Sequence, residues 1–207
     1  NGDGMGIEDI MRARKFGLSG KSAATHVGFR GIGIYSAFDL CKRLVITSLK
    51  EGETHSHILT FDFGEMRKQL EKDRQKPSSA RKTSVTELLT AHTAVTREPS
   101  TFAKDVHFPS VDLQDINDTH LRQLSNRKEL RRYLLQNLPI DFASTFPQAE
   151  KIRAYLDEHV EGYHAISVTL QTPGQDDELV AKYDEIDLHI PDEKSRFHAA
   201  EFEILKN

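Results

Sequence analysis

The hydrophobic pattern opens on a helical period. Ile7, Ile10 and Met11 share one face with Arg14, and Glu8 and Asp9 occupy the first turn, where the helix dipole favours acids. Gly17 is placed to end this helix. Residues 18–30 are rich in Ser, Gly, Ala and Thr and have no apolar period, which predicts a mobile loop. From Gly31 the pattern returns, with Ile34, Ala37, Phe38 and Cys41 as a helical stripe. RLVITSL, from Arg43, reads as a strand leading to a turn at Glu51-Gly52, and HILTFDF, from His57, alternates as its hairpin partner.

Residues 65–82 are charged and read as a helix running into KPSSARK, an exposed connection. Residues 85–95 fit helix and strand equally. SVDLQDI at 110–116 reads as a strand, and Leu121, Leu124, Leu130, Tyr133, Leu134 and Leu138 trace a helical stripe that Pro139 stops. Residues 148–159 predict one more short helix, and strand-like alternation follows Gly162 at 164–170 and again at 185–190. This shift puts a boundary near Glu161, with residues 1–161 as one domain and 162–207 as the beginning of a second α/β unit.

Composition narrows the class. With 207 residues, 37% of them hydrophobic and 29% charged, the chain can bury a real core. No apolar run approaches the roughly 18 residues a membrane span needs, so no membrane partner is expected. The net charge of -4 gives no electrostatic reason to expect nucleic acid. One cysteine, Cys41, excludes an internal disulfide framework and fits a reducing, cytoplasmic compartment; within its apolar stripe it reads as a small buried hydrophobe.

Candidate chemistry lies in two glycine motifs flanking the first helix and its loop. One is Asn1-Gly2-Asp3-Gly4-Met5, the other Gly28-Phe29-Arg30-Gly31-Ile32-Gly33. Without a β-carbon, backbone N–H groups can approach phosphate oxygens closely, and a helix starting at the second motif offers its own unpaired N–H groups to the same charge. The order of parts is glycine turn, helix, glycine-rich loop, glycine motif, apolar helix, and strand ending in Thr47-Ser48.

That order resembles the Bergerat-fold or GHKL ATPases, the group of DNA gyrase B, heat-shock chaperones, histidine kinases and MutL, and within it the chaperone-like branch. The resemblance is specific over residues 1–48. It implies a two-layer α/β sandwich with a mixed, mostly antiparallel sheet, and an ATP-driven switch with ATP and Mg²⁺ as cofactors. Gly2 and Gly4 shape the turn beneath adenine, and Met5 packs on the purine face. Residues 18–27 correspond to the ATP lid. The amides of Gly28, Phe29, Arg30, Gly31, Ile32, Gly33 and Ile34 wrap the phosphates, and Lys21 and Arg30 are candidate phosphate contacts. Homodimerisation of the intact protein is the habit of the chaperone and MutL branches.

The resemblance also sets expectations at the edges. The adenine-reading Asp falls directly before Asn1, and the catalytic Glu and Mg²⁺-holding Asn fall on a helix further upstream. The domain is therefore expected to lack its first helix and strand, and the 207-residue chain to hydrolyse ATP negligibly. Phe108-Pro109-Ser110 stands where such proteins often carry Gly-Thr near the nucleotide. A lysine from the following domain reaches the terminal phosphate in related proteins; Lys182 and Lys194 lie in the second unit without motif support.

Other readings compete. A scaffold that keeps the ATPase fold without catalysis accounts for the altered segment. A dinucleotide fingerprint at Gly31-Ile32-Gly33 lacks the strand it requires directly before it. His55-x-His57 could present two metal ligands but has no third at useful spacing. Arg127, Lys128, Arg131 and Arg132 form a basic helix face, read either as solvated or as a contact for a partner or nucleic acid.

Overall fold

The computed structural model describes residues 3–19, 30–103 and 105–182. The polypeptide divides into two compact units, Asn1–Arg122 and Gln123–Asn207. Residues 123–161, which the sequence pattern groups with the first domain, fall in the second unit.

The first unit contains helix α1 (Ile7–Ala13), a short 3-10 helix (Gly33–Phe38), strands β1 (Cys41–Leu49) and β2 (His55–Asp62), helices α2 (Phe63–Gln75) and α3 (Val85–His92), and strands β3 (Thr93–Pro99) and β4 (Phe108–Ile116). The strands form one antiparallel sheet in the order β3-β2-β1-β4. Period-two alternation decides its faces. Leu44 and Ile46 of β1 pair with Phe61 and Leu59 of β2, and all four side chains are buried on the side that carries the helices. Ile10, Met66, Leu88 and Leu89 complete that core from α1, α2 and α3. The result is the two-layer α/β sandwich, with an entirely antiparallel sheet among the described residues of this unit. Coverage of β4 is partial: Leu113 packs against the core, but Val111, opposite buried Ile46, remains 62% exposed.

Local chemistry sets the element ends. Asp62 closes β2 and caps α2 by accepting the Glu65 N–H at 2.9 Å, so strand passes into helix with no loop. Ser84 and Glu87 form a capping box at α3. The segment 85–95 is both helix and strand in succession. The 3-10 helix is shorter than the stripe Ile34 to Cys41 predicts, because Cys41 belongs to β1; its thiol is buried as expected, and burial pushes its pKa up.

The dividing point falls within helix α4 (Asp118–Ser125). The second unit continues with α5 (Arg127–Asn137), α6 (Ala149–His159) and a small antiparallel pair, β5 (Val168–Leu170) and β6 (Glu178–Val180). The stripe from Leu121 to Leu138 is thus two helices, interrupted where Asn126 turns its side chain onto the Glu129 N–H at 3.2 Å. Isolated parallel bridges join Ile140 to Ile166 and Phe142 to Lys182. The alternation at 185–190 lies outside the described residues. Among those described, no helix is long and apolar enough to cross a membrane.

Candidate functional site

The first glycine motif lies flat against the end of β1. Gly4 has φ +74°, and a β-carbon there would sit 2.1 Å from the Leu49 carbonyl oxygen, so only glycine fits the approach. The Met5 N–H donates to Ser48 Oγ at 2.7 Å, Ser48 Oγ donates to the Phe108 carbonyl at 3.1 Å, and the Glu51 N–H donates to the Asp3 carbonyl at 2.9 Å. The turn is therefore held from below by a fully buried serine and by the first residues after β1. Met5 itself is half-buried and packs against the core.

The second motif sits beyond the other end of α1. Gly31 has φ +64°, and its added β-carbon would lie 2.7 Å from the Leu18 carbonyl oxygen. Gly31 in turn accepts the Gly17 N–H at 3.3 Å, so the chain entering and leaving the segment 20–29 is closed at its base. Gly33 is open: among the described residues nothing lies within 4 Å of an added β-carbon. It begins the 3-10 helix, whose first N–H groups have no acceptor within the helix. Arg30, Ile32 and Gly33 are exposed and Ile34 packs on the core. Gly2, Lys21, Gly28, Phe29 and Lys194 lie outside the described residues.

Tyr35 joins the two motifs to one core. Its hydroxyl donates to the Arg14 carbonyl at 2.9 Å, its ring meets Phe16 and Phe61 edge-on at 5.0 and 5.6 Å, and burial pushes the phenol up to about 12. Arg14 adds a tie across the helical layer through Thr93 Oγ1 at 2.5 Å and the Thr90 carbonyl at 3.1 Å. Glycine spacing discloses neither Ser48 nor Tyr35 as a site support; the trace Ser48 leaves is its place in the Thr47-Ser48 pair near the end of β1.

Other candidates from the sequence have different surroundings. Arg127 bonds Glu178 and Gln175 at 2.8 Å, and Arg131 reaches Glu178 at 2.8 Å, so half of the basic face of α5 fastens the second unit internally rather than facing solvent or a partner. His57 Nε2 lies 2.7 Å from Glu53, and His55 Nδ1 lies 2.9 Å from Thr54 Oγ1, each engaged separately. Among the described residues no group of three or more His, Cys, Asp or Glu could hold a metal ion. Lys182 uses its backbone to pair with Asp141 in the second unit.

Residues 1–94, from the first glycine motif to the opening of β3, match the family model described as histidine kinase-, DNA gyrase B-, and HSP90-like ATPase. Among curated proteins none matches the chain.

Proposed function

We propose that the chain carries the phosphate-and-lid half of an ATP site in a chaperone-like member, where ATP drives a conformational switch; the match of residues 1–94 to the family model of histidine kinase-, DNA gyrase B- and HSP90-like ATPases supports this reading. One observation carries this most: two left-handed glycines, Gly4 and Gly31, stand at either end of α1, each packed where a β-carbon cannot go. Glycine there lets backbone pack on backbone, at Leu49 and at Leu18, and so fixes the two turns whose amides would face a polyphosphate in this reading.

In this reading Gly2 and Gly4 shape the turn under the purine and Met5 covers its face. The amides of Gly28, Phe29, Arg30, Gly31, Ile32, Gly33 and Ile34 bind phosphate oxygens, with Lys21 and Arg30 supplying positive charge. Closure of the lid excludes water and strengthens each of these contacts. Mg²⁺ offsets phosphate charge when bound with ATP; among the described residues no group of three or more His, Cys, Asp or Glu could hold it. Residues 162–207 are proposed as the start of a transducer-like domain, and the intact protein as a cytoplasmic ATP-dependent homodimer.

The test uses Gly33. Since an added β-carbon there meets no atom of the described residues, Gly33→Val should leave the thermal transition unchanged while abolishing saturable, Mg²⁺-dependent binding of a fluorescent ATP analogue by the intact protein. Equal binding by wild type and Gly33→Val would remove these amides from the site.

One observation favours a second reading, a scaffold that keeps the fold without nucleotide. Phe108-Pro109-Ser110 replaces the Gly-Thr usual in the family, and the Phe108 carbonyl is occupied by Ser48. A scaffold shows no saturable signal in the same titration.

A further inference from the structure

The helix-facing side of the sheet ends in a polar row. Cross-strand register places Arg97 beside His57, His57 beside Ser48, and Ser48 beside Pro109. Ser48 holds the Met5 N–H. His57, one strand over, is buried, and its Nε2 lies 2.7 Å from a carboxylate oxygen of Glu53 in the turn between β1 and β2. A carboxylate accepts, so Nε2 carries the proton of that bond, and Nδ1 is left buried with no hydrogen-bond partner among the described residues. Burying a ring nitrogen unpaired is unfavourable. It persists here because the other nitrogen is needed for Glu53.

Glu53 faces the glycine turn. A β-carbon added at Gly6, the residue before α1, would lie 3.1 Å from Glu53 Oε1 and 3.2 Å from Lys50 Cδ. Glu51, two residues earlier, donates its N–H to Asp3. A cavity of about 350 Å³ lined by Ile7, Glu53, His57 and Arg97 opens beside the pair. A Glu53 side chain released by His57 has room to leave Gly6.

We propose that Glu53 and His57 are positioning residues: the buried histidine orients the carboxylate, and the carboxylate backs Gly6, so that the Asp3–Gly6 turn keeps the shape in which Met5 meets a purine. The purpose given to the turn rests on the nucleotide reading above; the positioning of the turn does not.

The experiment combines amide hydrogen exchange of the ligand-free intact protein with titration of a fluorescent ATP analogue. Glu53→Ala and His57→Phe should raise exchange at Met5 and Glu51 while Ile46 and Leu59 stay protected, and should weaken the analogue by about 10- to 100-fold, the scale set by loss of groups that orient a site. Glu53→Gln and His57→Gln, which retain an acceptor and a donor, should restore most of both readouts. The double variant Glu53→Ala/His57→Phe should be no worse than either single one, as one coupled pair requires. Unchanged exchange at Met5 and Glu51, or a rise spread equally over the sheet, overturns the proposal. If the wild type binds no analogue, the nucleotide reading falls, and the exchange data decide the positioning role alone.

Discussion

At the scale of single residues, glycine acts through what lies behind it. Gly4 and Gly17 share a left-handed backbone, at φ +74° and +72°, but only Gly4 has backbone packed against the missing side chain. Gly17→Ala should cost only the conformational term, about 1 kcal/mol. Gly4→Ala adds a clash with the Leu49 carbonyl that the strand cannot yield to, and should cost more than about 3 kcal/mol. Denaturant unfolding of the two variants checks the order, and equal losses would remove the packing argument. The glycines themselves were legible in the sequence. Their unequal cost was not, since it depends on Leu49, 45 positions away, folding back beneath the turn.

At the scale of elements, the connection from α2 to α3 shows how a surface loop is held. Asp73, on the last turn of α2, is buried and accepts from Lys76 Nζ at 2.5 Å and from the Thr83 N–H at 2.8 Å. Those two bonds hold its carboxyl well below the usual carboxylate range. A depressed folded-state pKa gives stability that is fully present above the unfolded value near 4 and is lost as pH falls below it toward the folded value. Asp73→Asn should therefore flatten the decline in melting temperature below about pH 4 while lowering it at neutral pH. A variant with the wild-type acid slope would show that Asp73 does not govern it. The charged pattern of residues 65–82 announced a helix and an exposed connection, and both are present. It could not show that one acid in that pattern points inward, because helical period marks a face without saying which polar residue on it finds partners across a loop.

At the scale of the whole molecule, the two compact units have separate means of cohesion. The first rests on one apolar core between sheet and helices. In the second, Glu178 on β6 gathers Arg127 and Arg131 from α5, a half-exposed ion pair network supported by further bonds from Arg127 to Gln175 and the Asp176 carbonyl. Glu178→Ala should lower amide protection across α5 and β6 and leave β1 and β2 at wild-type protection. Equal loss in both units would show that they unfold as one. The family match ends in β3, well inside the first unit, so the matched segment and the core that supports its glycine motifs occupy the same part of the chain.

The class of fold, the order of parts and the positions of the two glycine motifs were readable along the chain. These follow from period, from turn chemistry and from glycine spacing, all properties of neighbours along the chain. Tertiary structure alone decided which contacts make those parts a site. Ser48 beneath Met5, Tyr35 between the two motifs and Glu53 against Gly6 join positions between about 20 and 50 residues apart. It also decided that the stripe after Leu121 breaks at Asn126 and that Arg127 and Arg131 turn inward. A periodic pattern records that a face is apolar or charged; the free energy that selects its partner arises only when another strand or helix is packed against it.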